Sequence, residues 1–303
     1  MIERVVVIGT GAMACLFAAR LAASGQDVTM LGTWPEAIKA IKQGGVQVVD
    51  GKGGSKSYRV SIASEATGFP GITYVLVLIK SWQTERVARQ IKDYIKKNDI
   101  VITLQNGLGN LETLVGLLGK ENVIAGTTTL GSTIIQPGTV EPFGEYRIDI
   151  SQHPRLFPFL KIFQNAGFTV NQTVDVDSLL WGKLIVNAGI NPVSTLLEVP
   201  NGFLLTDDFA RELVKDLVEE AVDVSSALEI QLPYANPLGH VENVIRQTSG
   251  NISSMLHDWL RGAPTEIGAI TGEIIRLGFS AGVPTPVNQT VYSLIKARQR
   301  SKK

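Results

Sequence analysis

The N-terminal segment constrains the fold most. Val5-Val6-Val7-Ile8 is a continuous β-branched run, as expected of a strand buried on both faces. It leads directly into Gly9-Thr10-Gly11-Ala12-Met13-Ala14, which fits G-x-G-x-x-A. The Ala- and Leu-rich stretch from Ala12 to Ser24 then reads as a helix stopped by Gly25. The glycine pattern alone is weak, but a buried strand before it and a helix after it supply the context that gives it meaning. Gly9 permits a tight turn, Gly11 lets a pyrophosphate approach the backbone, and Ala14 lets the helix pack close to the sheet. The helix N-terminus offers unpaired N–H groups and a partial positive charge to phosphates. The alternative is a glycine turn that holds no ligand.

Strand and helix signals alternate through the first half. Val28 to Leu31 reads as a second strand. Thr33 stands where it can cap a helix that has Pro35 in its first turn and ends at Gly44-Gly45. Val46 to Val49 and Tyr58 to Ile62 suggest a hairpin around Gly51-Lys52-Gly53-Gly54. Thr73 to Ile79 is a strong buried strand, Trp82 to Lys97 a helix with Ser81 as cap, and Ile100 to Leu104 another strand. A helix near Leu111 to Leu118 and strands near Val123, Thr139 and Tyr146 follow. Such alternation predicts an α/β, Rossmann-type doubly wound sheet.

After about Val174 the pattern becomes helical. Candidate helices run Asp177–Ile190, Asp207–Glu229, Pro237–Thr248, Ile252–Leu260, Glu266–Phe279 and Val287–Arg300. Pro192, Pro200, Pro233, Pro264 and Pro284 fall at or near the breaks. The expected organisation is a dinucleotide-binding domain over 1–174 and an all-α substrate and catalytic domain over 175–303. The length, 303 residues, suits two domains.

Lys plus Arg equals Asp plus Glu at 28 each. Neutrality argues against nucleic acid or an anionic membrane as main partner. One cysteine, Cys15, excludes an internal disulfide framework and a multi-cysteine zinc site. The three histidines show no metal-ligand spacing. No signal-peptide h-region is visible, and no apolar run reaches the ~18 residues a membrane span needs. The expectation is a cytoplasmic protein without a metal. Homodimers are the commonest assembly, so a homodimer is expected.

Dinucleotide binders read the adenosine ribose at the end of the second strand, with an acidic residue for NAD or a nearby Arg for NADP. Leu31-Gly32-Thr33-Trp34 is neither, which leaves the choice open. Trp34 either stacks on an adenine or covers the sheet edge. Leu78-Ile79-Lys80-Ser81-Trp82-Gln83 puts a cation at a strand's C-terminal end, the edge that lines the ligand crevice in open α/β sheets. Lys80 is either a phosphate contact or a solvated strand end. Gln105-Asn106-Gly107 ends the next strand at the same edge, as a second polar group or as a simple turn.

In the second half, Lys183, Asn187 and Asn191 recur every four residues and share one helix face. The rest of that helix, Leu180 to Pro192, is apolar nearly all round, so it should be buried. A lysine there must face a polar cleft or snorkel to solvent. Burial would lower its pKa and improve it as a proton donor near neutrality. Asn251-Ile252-Ser253-Ser254-Met255 is a polar cluster at a helix start, able to hold a carboxylate or merely to cap. Glu266 opens the next helix, accepting a substrate hydroxyl or favouring the dipole.

Taken together these residues resemble the ketopantoate reductase (2-dehydropantoate 2-reductase) family over nearly the whole chain. The shared motifs are Gly9 to Ala14, Lys80 with Gln83, Asn106-Gly107, and Gly126-Thr127-Thr128-Thr129. In the second half they are Lys183-Asn187-Asn191-Pro192, Pro200-Asn201-Gly202, Asn251 to Met255, and Thr265-Glu266-Ile267. The resemblance implies reduction of a 2-oxo acid, ketopantoate, to pantoate on the route to pantothenate and coenzyme A. It implies Lys183 as general acid, Glu266 binding the substrate's 4-hydroxyl, and Ser254 with Asn251 holding the carboxylate. Asn187, Asn191 and Asn201 would complete the substrate site. Thr10, Ala12, Met13, Thr33, Lys80, Gln83, Asn106 and Gly131 would join the glycines around the cofactor. The family usually has Arg where this chain has Thr33. NADP is the cofactor expected, with NAD as the alternative.

Two rival readings share this fold. One is a D-2-hydroxy-acid dehydrogenase acting on another branched or aromatic 2-oxo acid, for which Glu266 has no hydroxyl to bind. The other is a dinucleotide sensor without catalysis, which does not need Lys183 and its asparagines.

Overall fold

The computed structural model describes residues 4–66 and 73–301. The chain forms two compact units, one of Met1–Gln105 with Asn110–Val176, the other of Asn106–Gly109 with Asp177–Lys303.

The first unit begins with β1 (Arg4–Ile8), α1 (Ala12–Ala23), β2 (Asp27–Leu31) and α2 (Pro35–Gly44). It continues through β3 (Val46–Val49), β4 (Ser55–Tyr58), β5 (Ser61–Ala63), β6 (Thr73–Val77), α3 (Thr84–Ile91) and β7 (Ile100–Thr103). Then come α4 (Asn110–Leu118), β8 (Val123–Thr128), β9 (Gly131–Gln136), β10 (Thr139–Phe143), β11 (Arg147–Ser151), α5 (Phe157–Asn165) and β12 (Thr169–Thr173). Eight strands form one sheet in the order β12-β11-β8-β7-β6-β1-β2-β5, parallel except where β11 meets β8. Four more form a small sheet, β4-β3-β10-β9.

The continuous apolar runs follow from helices on both faces. Val5 and Val7 pack with Leu16, Phe17 and Leu21 of α1. Their neighbours Val6 and Ile8 pack with Val87, Ala88 and Ile91 of α3 and Leu114 of α4. A strand whose alternate residues enter two cores has no polar face.

Four local expectations need correction. The hairpin closes earlier than expected: Val46–Val49 pairs with Ser55–Tyr58, because the Asp50 carboxylate accepts from the N–H groups of Lys52 and Gly54 and tightens the turn. Ser61–Ala63 instead pairs parallel with β2 at the edge of the main sheet. Thr33 is not the helix cap; Trp34 holds that position, with no side-chain cap bond. Ser81 does not cap α3 either, because a 3-10 turn over Ser81–Gln83 intervenes and Lys80 precedes it.

The second unit is helical: α6 (Val176–Leu197), α7 (Phe203–Thr206), α8 (Asp208–Ala227), α9 (Pro237–Gln247), α10 (Ser254–Leu260), α11 (Glu273–Ala281) and α12 (Pro286–Ser301). A π-helical segment, Gly268–Gly272, runs into α11. Pro192 does not end its helix as the sequence suggested. It sits inside α6, buried between Asn191 and Val193. Burial of Ile185, Ala188 and Val193 in the common core outweighs the local penalty of the missing N–H. Among the described residues no helix is long and apolar enough to cross a membrane. Nor do they hold a group of three or more His, Cys, Asp or Glu that could bind a metal ion.

Candidate functional site

In the first unit the glycine loop joins β1 to α1. The Gly9 N–H donates to Leu31 O at 2.7 Å, drawing the loop across the end of β2. Gly9 has φ +127°, and a Cβ there would stand 2.7 Å from Leu78 O, so only glycine fits. Gly11 precedes α1 without a side-chain cap bond, and a Cβ there would meet open space. The first N–H groups of a 12-residue helix are thus left without a side-chain cap beside a glycine with no neighbour within 4 Å of its missing Cβ. That arrangement fits a pyrophosphate. Thr10 is buried, Ala12 and Met13 pack beside the core, and Ala14 is wholly buried.

Thr33 is exposed beyond the end of β2. Lys80 and Gln83 are half-buried around the 3-10 turn. Gln105 is held structurally, its amide donating to Ile79 O and Thr84 Oγ1 at 3.0 and 2.8 Å. Gly131 opens β9, where a Cβ would collide with the Phe143 ring. That packing accounts for the glycine without a ligand.

The second unit gathers the remaining candidates. Lys183, Asn187 and Asn191 project from one face of α6. Lys183 is half-buried, and burial pulls its ammonium down to about 8 while the Glu266 carboxylate pulls it upward. Glu266 is itself buried, 6% exposed. The Asn106 amide donates to Glu266 Oε2 at 3.4 Å. Asn106 thus groups with the helical unit, although it follows a strand of the sheet. Its turn is fixed there: the Leu108 N–H donates to Ala269 O of the π segment at 2.9 Å. Gly107, at φ +81°, passes so close that a Cβ would lie 2.3 Å from the same oxygen.

Asn187 Nδ2 is buried and has no hydrogen-bond partner among the described residues. A buried amide left without a partner is costly unless a ligand completes it. Asn191 is buried, and its carbonyl accepts from Ser194 Oγ. Ser194 Oγ also donates to Ser253 Oγ at 2.8 Å, and Ser253 Oγ in turn accepts from the Leu256 N–H as the cap of α10. Asn251 and Ser254 flank that cap and are exposed. Asn201 is buried; its amide donates to Thr248 Oγ1 at 3.0 Å, and its N–H donates to Asn251 O at 2.9 Å.

Sequence reasoning missed Ser194 and Ser253, the pair that ties α6 to the Asn251–Ser254 segment. The signal was present: Ser194 lies three residues after Asn191, on the same face, and Ser253 precedes an apolar run as caps do.

A doubly wound sheet with an uncapped glycine loop, followed by a helical unit holding a half-buried lysine in the field of a buried carboxylate, defines an NAD(P)-dependent oxidoreductase. Residues 5–155 match the family Ketopantoate reductase PanE/ApbA, and residues 175–299 match Ketopantoate reductase PanE/ApbA C terminal. The chain belongs to the ketopantoate reductase family. The 2-dehydropantoate 2-reductase of Pyrococcus horikoshii is 30% identical over 303 residues, which cover 98% of this chain and 97% of that one. The PanE/ApbA family ketopantoate reductase from Ralstonia eutropha JMP134 superposes with a TM-score of 0.90 at 27% identity, covering 98% and 99% of the two chains. D-mandelate dehydrogenase, solved with NADH and anilino(oxo)acetate, superposes with a TM-score of 0.92 at 25% identity over the same shares.

Proposed function

We propose that this chain reduces 2-dehydropantoate to pantoate with NADPH. The carrying observation is the cluster of half-buried Lys183 and Asn106 with the buried Glu266 carboxylate, together with the unpartnered amide of Asn187 on the Lys183 face of α6. Full-length likeness to relatives named 2-dehydropantoate 2-reductase supports the substrate.

The bound nicotinamide supplies the hydride that reduces the ketone carbon. Lys183 donates a proton to the ketone oxygen as negative charge develops there, leaving a neutral amine. Before transfer, its ammonium stabilises that oxygen electrostatically. Glu266 accepts a hydrogen bond from the substrate's 4-hydroxyl. Asn187 fills its missing hydrogen bond with the substrate, and Asn191 orients the same face. Ser254, with Asn251, receives the carboxylate at the start of α10, and Asn201 holds Asn251 in place. The glycine loop, from Gly9 to Ala14, and Lys80 bind the dinucleotide, with Gln83 and Gly131 beside it. Asn106, bonded to Glu266, would add a further contact to the cofactor. The functional unit is a homodimer in the cytoplasm; sedimentation at assay concentration tests the dimer.

A second reading rests on the likeness to D-mandelate dehydrogenase. In it the same Lys183 reduces an aromatic or branched 2-oxo acid that lacks a hydroxyl. Side-by-side assays separate the two, with ketopantoate and phenylglyoxylate as substrates and NADPH and NADH as donors. Turnover of ketopantoate at higher kcat/KM supports the first reading. Turnover confined to phenylglyoxylate overturns it in favour of the second.

A further inference from the structure

The buried face of α12 ends on a polar residue. Asn288, Val291 and Ile295 are buried. Their helical spacing puts them on one side of the helix. The next place along that side is Gln299, which is half-buried. An apolar side chain would suit that place by pattern alone. Instead the Gln299 amide donates to Thr265 Oγ1 at 2.7 Å.

Thr265 is buried and directly precedes Glu266. On its C-terminal side Glu266 is held by the π segment, its carbonyl accepting from the N–H groups of Ala269 and Ile270, both at 3.1 Å. On its N-terminal side, Gly262, Ala263 and Pro264 lie outside any helix or strand. The bond from Gln299 ties the start of the Glu266 segment to α12, across 34 positions of sequence. Breaking it strands a buried hydroxyl, so the segment has a reason to stay where Gln299 holds it.

The neighbouring residue makes different contacts. Arg298 donates to Leu196 O at 3.1 Å and pairs with Glu198 at 2.7 Å. The Trp259 indole N–H donates to the same carboxylate oxygen at 3.1 Å, and the guanidinium lies over the Trp259 ring. Those contacts join α12 to the ends of α6 and α10, not to the Glu266 segment.

We propose that Gln299 is a positioning residue: through Thr265 it aims the Glu266 carboxylate at the substrate's 4-hydroxyl and so sets selectivity for hydroxylated 2-oxo acids. This rests on the reading above, in which Glu266 accepts from that hydroxyl, and adds the group that aims it. A hydrogen bond weakens steeply with misalignment. In the same reading α6 and the start of α10 hold the ketone and the carboxylate, which every 2-oxo acid carries. Loss of Gln299 therefore weakens only substrates with the hydroxyl.

Steady-state kinetics of the full chain test it, with ketopantoate and with 3,3-dimethyl-2-oxobutanoate, the same acid without the hydroxyl. Gln299→Leu should lower kcat/KM for ketopantoate about fivefold, mostly through KM, as for one lost hydrogen bond. The other acid should stay within about twofold. Thr265→Val should act alike, and the double variant should be no worse than either single change, because both remove one bond. Thr265→Ser keeps the hydroxyl and should keep wild-type selectivity. Should Gln299→Leu fail to fold, the Thr265→Val and Thr265→Ser pair makes the same comparison. Arg298→Gln should lower the melting temperature and change both substrates in parallel. Equal loss on both acids in Gln299→Leu, unchanged ketopantoate kinetics, additive effects in the double variant, or the same selectivity loss in Arg298→Gln overturns the positioning role and leaves the reading of Glu266 standing. A wild type that does not prefer ketopantoate to the other acid overturns that reading, and the positioning role with it.

Discussion

The Glu266 carboxylate opposes the effect of burial on the Lys183 ammonium. Desolvation pulls the ammonium down to about 8, and the buried carboxylate draws it back up. A general acid must be protonated to act, so kcat/KM should fall as pH rises through about 8. Glu266→Gln removes the upward pull and leaves desolvation alone. The alkaline limb of the kcat/KM profile should then move to lower pH, and KM for a hydroxylated 2-oxo acid should rise. A limb that stays in place would show that Glu266 does not act on Lys183.

Lys183→Met separates catalysis from stability. Losing the proton donor should lower kcat by about 10²–10⁴-fold. The same change should stabilise the fold. An unfolded lysine takes up its proton at an ordinary value near 10.5, the folded one at about 8. The unfolded state therefore binds more protons between these values, and stability rises with pH across that window. Below about 8 the penalty is fully in place, roughly 3 kcal/mol at most, less what water returns to a half-buried group. Urea denaturation at pH 7 should find the variant more stable by about 1–3 kcal/mol, with the gap closing towards pH 10. Equal stability at pH 7 would mean that the ammonium is better solvated than its burial indicates.

The doubly wound sheet was legible because Val5–Ile8 and Thr73–Val77 must be buried on both faces, which only flanking helices provide. The helical second unit was legible in its 3.6-residue periodicity. Other features depend on contacts that no local pattern encodes. The edge strand Ser61–Ala63 exists because β2 is beside it, and α6 continues through Pro192 because its flanks are buried. Phe157–Asn165 and Thr169–Thr173 give no strong periodic signal. Their order comes from Phe159, Phe163 and Phe168 entering the aromatic cluster around Phe17. At the site, the Lys183-Asn187-Asn191 spacing was visible as a helix face. The Asn106–Glu266 bond was not, since it joins residues 160 positions apart.

Ser253 holds two elements through one oxygen, capping α10 and accepting from Ser194 on α6. Ser253→Ala removes the cap, worth about 1 kcal/mol, and takes from the buried Ser194 hydroxyl one acceptor, worth about 1 kcal/mol more. Chemical denaturation should show a loss near 2 kcal/mol. KM for the 2-oxo acid should rise with little change in cofactor affinity, because Ser254 and Asn251 flank the cap. A loss below about 0.5 kcal/mol, the size of an ordinary surface substitution, would show that the bridge does not hold the two helices together.

Gly107 tests whether the Asn106 turn aims the site. At φ +81° and with Ala269 O 2.3 Å from the place of a Cβ, Gly107→Ala must shift the turn off the π segment. The strain is of order 1–3 kcal/mol. The shift carries Asn106 away from Glu266, so kcat should fall together with the melting temperature. Dinucleotide affinity should hold, because the glycine loop belongs to the other unit. An undiminished kcat in a destabilised variant would make the turn purely structural.

The two glycines of the N-terminal loop should respond to alanine in opposite ways. At Gly9 the added Cβ meets Leu78 O at 2.7 Å with the backbone at φ +127°. Gly9→Ala should therefore destabilise the sheet by a few kcal/mol, on the order expected for overpacking plus backbone strain. At Gly11 the added Cβ meets nothing within 4 Å, and the residue's φ of −75° suits any side chain. Gly11→Ala should leave the melting temperature nearly unchanged. The methyl would instead occupy the space in front of the α1 amides where the pyrophosphate approaches, so dinucleotide Kd should rise by about tenfold or more, equivalent to 1.4 kcal/mol. Fluorescence titration and thermal unfolding on both variants decide the matter. If Gly11→Ala binds as wild type does, the open space beside it is not where the phosphates lie.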